Sequence, residues 1–354
     1  MQDKSAAARE GFSDADRQLL RDSVRDFLAS RWPSTQAVEL SGDTKAIAAI
    51  WRDLSAQGLT SLGADPAQGG LREIALVFEE LGRASCPVPL LGAVSANLAG
   101  LLLEETRQGK ATLAAAYGAF DGDPAAGRVE RNLDGTLEGR IAFVEGAAGA
   151  THFLVFTDAP AGGAIVSAGA PGLSVTETPG LAVPAFSELS FRDTPASFTE
   201  LEAAAIADIA LVARITCAAR ALGAAQRAFE LTVEHAKVRR QFGQYIGQFQ
   251  AIQHKLADCL MNVEGTRLAI EHAADARDRG VSEWRVFGSA ALAFAAPALR
   301  QVSIQTHRAL GAIGYAEEHE APRHFRRVHA DLARFGGAPR ARAELADFVL
   351  GTGV

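Results

Sequence analysis

The 354-residue sequence has few cysteines: Cys86, Cys217 and Cys259 lie far apart, each in an apolar helical context. This spacing forms neither a metal signature nor a disulfide framework, and no metal site is expected. A reducing compartment is the default for such usage, so the expected location is cytoplasmic. Positive charge is in the minority, with 35 Lys and Arg against 42 Asp and Glu and a formal net charge of -7. A phosphate backbone is gripped by a dominant basic face, so no nucleic-acid partner is expected. Long apolar runs are absent too. The most apolar stretch, GSAALAFAAPALRQV, meets Arg300 before it reaches spanning length, which predicts a buried helix and no membrane span. The opening 28 residues carry early acids and no apolar region ahead of a cleavage site, so a secretory signal is not expected. The mid-chain glycines lack phosphate-loop spacing, which leaves a Rossmann reading without support.

What is present is helical periodicity at both ends and a different rhythm between them. Residues 1–110 read as helices: Leu19, Val24, Phe27 and Leu28 form an apolar stripe that Asp14 or Asp16 could cap, and further helices are expected near 45–57, 71–82 and 94–108, with GADPAQGG turning between the second and third. Over 111–195 short runs are broken by Gly, Asp and Pro, with Asp134-Gly135 a hairpin turn, which predicts a small, mostly antiparallel β domain. Over 196–354 the chain turns helical again, with helices expected near 201–236, from about 250 with Phe249, Ile252, Leu256 and Leu260 on one side, 281–309 and 340–350. The predicted fold class is mainly α with an inserted β domain.

Two stretches carry candidate chemistry. In EHAKVRRQFGQYIGQFQAIQHKLADC, Arg239 and Arg240 end a helix, where cations gain from the macrodipole, and Gly243 and Gly247 release the backbone into a short link. Either these arginines cap a solvent-facing helix end with Phe242 plugging the core, or a guanidinium fork grips a pyrophosphate while Phe242 packs on an adjoining ring system. Composition alone leaves both open. The second stretch runs from Thr306 to Gly337, with Gly311 and Gly314 allowing close backbone approach, Tyr315, Glu317 and Glu318, and four histidines at 307, 319, 324 and 329 whose spacing contains no HExxH-like pair.

The order helical region, β region, helical region, together with VRRQFGQYIGQFQAIQHKLAD, GAIGYAEEH and FEELGRASCPVPLL, resembles the acyl-CoA dehydrogenase family over nearly the whole chain. The resemblance implies an N-terminal helical domain over 1–110, a small antiparallel β domain over 111–195 and a dimer-forming C-terminal four-helix bundle over 196–354. It also implies FAD, an acyl-CoA thioester substrate dehydrogenated at its α and β carbons, a carboxylate as base, and an electron-transfer flavoprotein as acceptor. The cofactor carries the hydride chemistry and the polypeptide supplies base, pocket and orientation.

Departures from the family pattern concern the parts a subunit uses for its own flavin. At the position of the usual C-terminal glutamate the sequence reads RFGG and places Phe335, and at the earlier position that a subset of the family uses it places Ala213, followed by the family-like Arg214. Both usual bases are absent, and the catalytic residue is unassigned. Glu344 and Asp347 lie two or three turns along the last helix and are not expected at the site; Glu317 and Glu318 are weak alternatives. ATLAAAYGAFDGDPAAG replaces the flavin-binding segment without its Thr and Ser hydroxyls, and Ala142, Phe143 and Val144 match a Trp-Ile-Thr segment that packs on the flavin. In contrast, Arg239 and Phe242 match the element that reaches the neighbouring subunit's FAD, and Arg308 with Gly311-Ala312 match a second, altered one. The resemblance is thus to the non-catalytic partner of a heteromeric enzyme, with Arg239, Phe242, Arg308 and Gly311 as cofactor contacts shared across an interface with a homologous catalytic subunit. A self-sufficient homo-oligomer with a relocated base and a flavin-free assembly protein are the alternatives.

Overall fold

Ser13 opens the first helix of the computed structural model, which describes residues 12–34, 36–65, 69–183 and 185–351. The Ser13 hydroxyl accepts from the Asp16 amide while the Asp16 carboxylate accepts from the Ser13 amide, so the cap is Ser13 and Asp16 closes the box. The helical framework comprises α1 (Asp14–Arg31), α2 (Ala37–Leu40), α3 (Thr44–Ala56), α4 (Leu71–Arg83), α5 (Leu90–Leu98) and α6 (Glu104–Arg107), then α7 (Ala203–Val238), α8 (Gln250–Asp278), α9 (Trp284–Leu310), α10 (Ala321–Ala333) and α11 (Gly337–Leu350). Between them lie β1 (Leu113–Ala116), β2 (Gly127–Arg131), β3 (Leu137–Val144), β4 (His152–Asp158), β5 (Ala161–Ser167), β6 (Leu173–Thr178), β7 (Phe186–Thr194) and β8 (Ser197–Glu200), and a short hairpin of β9 (Arg240–Gln241) and β10 (Gln244–Tyr245) follows α7. The mainly α architecture with an inserted, mostly antiparallel β domain and a C-terminal helical bundle is as expected. No helix among the described residues is long and apolar enough to cross a membrane.

Local expectations needed correction where periodicity was ambiguous. Leu19 is 71% exposed, because it lies five positions from Val24 and so about 140° around the helix from the buried Val24 and Leu28. The helix expected over 94–108 is two, separated at Gly100, whose φ of +68° ends α5. Part of the expected GADPAQGG turn, residues 66–68, lies outside the described residues. On α8 the buried line is Cys259, Val263, Thr266 and Ile270, while Leu260 is exposed and Phe249, Ile252 and Leu256 are half-buried. The sequence marks an apolar face but not the element it meets. The helix α10 is not among the expected ones, its three arginines and two histidines masking an amphipathic pattern.

The β domain is two four-stranded sheets, ordered β1-β4-β5-β8 and β2-β3-β7-β6, with a single parallel pair, β1 and β4. Asp134-Gly135 turns the β2/β3 hairpin, where the Asp134 carboxylate accepts from the Thr136 amide at 3.0 Å. Phe153, Val155, Leu189 and Phe191 fill the space between the sheets, and Leu113, Tyr117, Leu154 and Phe156 join the helical core instead. One crossing fixes the frame for everything below. A Cβ on Gly82 of α4 would fall 1.9 Å from the Arg220 carbonyl of α7, and one on Gly223 would fall 1.8 Å from the Glu79 carbonyl, so only glycine at both positions allows these backbones to touch. The first helix docks on α4 through Arg17 to Glu73 at 2.8 Å, Arg21 to Glu79 at 3.0 Å and Arg25 to Glu80 at 2.8 Å.

Candidate functional site

At the end of α7 the Arg239 amide still donates to the His235 carbonyl at 2.9 Å, but its φ and ψ of -73° and 129° turn the chain out of the helix. The link expected after it is an ordered hairpin in which Gln241 faces Gln244 and Phe242-Gly243 forms the two-residue turn. Both turn residues have positive φ, +52° and +83°, as a type I′ turn requires. Asparagine or aspartate suits the first of these positions, and an aromatic ring there is disfavoured. Phe242 is nevertheless 93% exposed at the tip, touching only the edge of Phe249 at 6.2 Å between centroids. It does not plug the core, so the core-plug alternative is corrected. Arg240 is set apart from Arg239, with its guanidinium over the Tyr245 ring at 4.9 Å.

This hairpin faces the end of α9. Arg239, Phe242, Arg308 and Gly311 share an open cleft of about 660 Å³, walled by Phe249 and Ile252. No Asp or Glu lines it. Neither the Arg239 nor the Arg308 side chain makes an ion pair or hydrogen bond among the described residues. Gly311 ends α9 at φ +65° with open space where a Cβ would stand, so this end of the cleft is bare backbone. Burial, then the charge of Arg239, holds His235 below its ordinary pKa, so at neutral pH it adds no charge to the two guanidinium groups.

Positions that match the family's bases lie elsewhere, in the interior. Ala213 is buried in α7, and Phe335 is 1% exposed, held edge-on to Tyr117 at 4.9 Å between centroids. The Arg334 guanidinium stands 4.8 Å from the Phe335 ring and 5.3 Å from Phe186. Glu344 reaches Arg214, the residue after Ala213, but does not line the space around Phe335. Because α11 folds back on α9, its carboxylate accepts from Arg214 at 2.8 Å, from Ser289 at 2.7 Å and from Arg340 at 2.9 Å. Burial alone would raise its pKa, but the Arg214 hydrogen bonds and charge, followed by Ser289 and Arg340, outweigh this and hold it below the ordinary value. A carboxylate so stabilised is a weak base. Glu317 and Glu318 are exposed before α10, with Glu317 paired to Arg326.

Sequence reasoning missed a buried ion cluster beside Phe335. Arg220 of α7, 1% exposed, donates to Glu145 at 2.7 and 2.8 Å and to Asp331 of α10 at 2.9 and 2.7 Å. Arg334 adds a bond to Glu145 at 2.7 Å, and Arg327 lies 3.5 Å from both acids. Glu145 directly follows Val144, the last residue of the segment matched to Trp-Ile-Thr. Burial pushes its carboxyl up, but Arg220, Arg334 and Arg327 together hold it well below the ordinary carboxylate range. A signal was available: one arginine inside the apolar run TCAARALGAA demands a buried partner. The partners' identity was not in the run. The histidines do not converge either. His307 and His329 each pack against Phe325, at 4.6 and 4.2 Å between centroids, while His324 hydrogen-bonds Ser85 at 3.1 Å.

Comparison with known proteins agrees with the architecture. Residues 14–116 match the profile of the acyl-CoA dehydrogenase N-terminal domain and residues 204–339 that of the acyl-CoA dehydrogenase C-terminal domain. The acyl-CoA dehydrogenase IpdE2 of Mycobacterium tuberculosis (strain ATCC 25618 / H37Rv) is 32% identical over 321 residues, covering 89% of this chain and 91% of the relative. Cyclohex-1-ene-1-carbonyl-CoA dehydrogenase of Geobacter metallireducens is 30% identical over 355 residues, covering 88% and 92%. Among solved structures, a variant of the Tcur3481-Tcur3483 steroid ACAD superposes with a TM-score of 0.84 at 27% identity, covering 96% of this chain and 98% of that one. The ChsE4-ChsE5 complex from Mycobacterium tuberculosis gives 0.81 at 23% identity with the same coverage, which speaks to the fold. With matched profiles in both helical regions and relatives aligned over nearly its whole length, this chain belongs to the acyl-CoA dehydrogenase family.

Proposed function

We propose that this chain is a subunit of an FAD-dependent acyl-CoA dehydrogenase and completes the cofactor site of a homologous catalytic subunit. The observation that carries the reading is the cleft between the hairpin and the end of α9, where, among the described residues, Arg239 and Arg308 have no counter-ion and no carboxylate lines the space. A pyrophosphate brings two negative charges, and charge-assisted hydrogen bonds from two guanidinium groups match it in sign and number. The bare backbone at Gly311 lets a phosphate oxygen approach, and Phe242 presents a ring to the flat part of the same cofactor from a backbone conformation that aromatics avoid. The positions where the family keeps its base hold Ala213 and Phe335, neither of which takes a proton, so the partner supplies the carboxylate.

In this arrangement the bound flavin supplies hydride acceptance, and this chain's residues bind and orient it. Arg239 and Arg308 neutralise the phosphates, and Phe242 with Phe249 and Ile252 excludes water from one side. The proposed substrate is an acyl-CoA whose acyl group carries rings, supported by relatives named for a cyclohexene carbonyl thioester and for a steroid. An electron-transfer flavoprotein is the proposed acceptor.

Co-expression with a homologous dehydrogenase chain, followed by flavin absorbance of the purified complex, tests this. Flavin should be held by the complex and lost when Arg239 and Arg308 are both changed to alanine. A lone chain that purifies with full FAD and dehydrogenates acyl-CoA would overturn the reading.

A further inference from the structure

Glu145 and four charged neighbours form one buried ion cluster, in which the Arg334 Nε has no partner among the described residues. Three guanidinium groups, Arg220, Arg327 and Arg334, surround the Glu145 and Asp331 carboxylates, and all five residues are buried. They come from β3's end, from α7, and from α10 and its exit. Charges taken out of water are retained only when each finds close partners, and such a cluster is rigid because losing one member strands the others.

Its location gives it meaning. The residue ahead of Glu145 ends the segment matched to the family's flavin-packing element, Arg334 precedes the position matched to the base, and Arg220 lies seven positions, about two turns, beyond Ala213 on α7. Around Phe335 the free space left between Arg214, Asp331, Arg334 and Gly337 is about 20 Å³. That is room for one water molecule and not for a thioester. The hollow on the other side of Arg334 is about 300 Å³, lined by Phe143 and Phe186 but also by Asp121 and Asp123, at the lower limit for a small-ligand pocket. Both aspartates come from the segment that replaces the flavin-binding one, and carboxylates there repel a pyrophosphate.

We infer that Glu145, Arg220, Arg327, Asp331 and Arg334, with Phe335 and Tyr117, permanently fill this chain's own reacting centre and turn it into an ionic joint that locks the β domain to α7 and α10. The inference deepens the proposed function and rests on its family register: the chain has one cofactor-contacting surface, the Arg239–Arg308 cleft, and its second bay is a joint. Neither flavin nor acyl-CoA enters that bay, and restoring a carboxylate at position 335 restores no site.

Two variants test this in the full chain, alone and in complex with a homologous dehydrogenase subunit. Phe335→Glu should leave flavin per complex unchanged and add no flavin reduction by acyl-CoA. Glu145→Gln should raise cleavage by thermolysin within residues 195–202, the strand β8 and its flanks that lead into α7, by about tenfold or more, because local opening sets the rate, and should likewise admit no second flavin. A second flavin per complex in either variant, or flavin bound by the lone Arg239→Ala/Arg308→Ala chain, would overturn the inference, as would unchanged cleavage of Glu145→Gln. If instead flavin in the complex proves indifferent to Arg239 and Arg308 while the proteolysis result holds, the shared-cofactor reading fails and the sealed joint stands.

Discussion

The hairpin cleft and the interior centre hold the same side-chain chemistry, arginine beside phenylalanine, in opposite states. In the cleft, Arg239 and Arg308 pair with no anion among the described residues, and Phe242 stands almost wholly in solvent on a disfavoured turn. Inside, Arg220 and Arg334 are matched to Glu145 and Asp331, and Phe335 is packed against Tyr117. A protein gains nothing for its own stability from unpaired surface cations or a strained exposed ring, whereas a satisfied buried cluster serves cohesion. The comparison separates guanidinium groups left unpaired among the described residues from guanidinium groups paired in the interior.

The sharpest way to break this contrast is to remove the two cleft cations together. Each charge-assisted contact contributes roughly 1.5–3 kcal/mol, so Arg239→Ala/Arg308→Ala should weaken flavin retention in the complex by about a hundredfold or more, read by fluorescence of released flavin, with no loss of chain stability. An interior change should do the reverse. Glu145→Gln strands buried guanidinium groups and should cost about 3 kcal/mol in urea unfolding. Its pH dependence has a definite sign. The Glu145 carboxyl sits below its ordinary value of 4.5, so its contribution is complete above that pH and is lost as pH falls below it. The stability gap between wild type and Glu145→Gln should therefore be constant near neutrality and narrow only below pH 4.5.

The turn offers a finer separation. Phe242→Asn relieves the positive φ and should stabilise the lone chain by a few tenths to about 1 kcal/mol in thermal unfolding, while weakening flavin retention by a similar amount through loss of the ring. Equal effects of one sign on both would show the residue to be structural. Smallest of all, Glu344→Gln should cost about 1 kcal/mol or less, since the glutamine oxygen still accepts from the buried Arg214 and the partly exposed pair with Arg340 is screened by solvent, and should leave flavin reduction by acyl-CoA in the complex unchanged. A lost reduction would restore the relocated-base alternative with Glu344 in the role.

The cleft residues were legible as two separate stretches, one local motif and one helix end, and only the resemblance to the family grouped them. The positive-φ pair Phe242-Gly243 belongs to a two-residue turn whose needs are local, and Arg308-Ala-Leu-Gly311 is one helical turn. The joint was not legible, because Glu145 and Arg220 are 75 positions apart in sequence and nothing about either names the other. Glu344 shows the same limit. Distance along a helix argued it away from the site, and the packing of α11 against α9 sets it on Arg214.

By itself, the sequence determined the mainly α chain with its β insert, the lack of a base at positions 213 and 335, and the arginine and glycine positions that form the cleft. The first follows from periodicity and backbone freedom, which act within a few residues; the other two are what the resemblance to the family implies. Only the tertiary structure decided that Arg239 and Arg308 face one another across open space while Arg220 and Arg334 are consumed by Glu145 and Asp331. Whether a charge is free or satisfied depends on which distant element folds beside it, and that is settled by the packing of helices and sheets against a shared core.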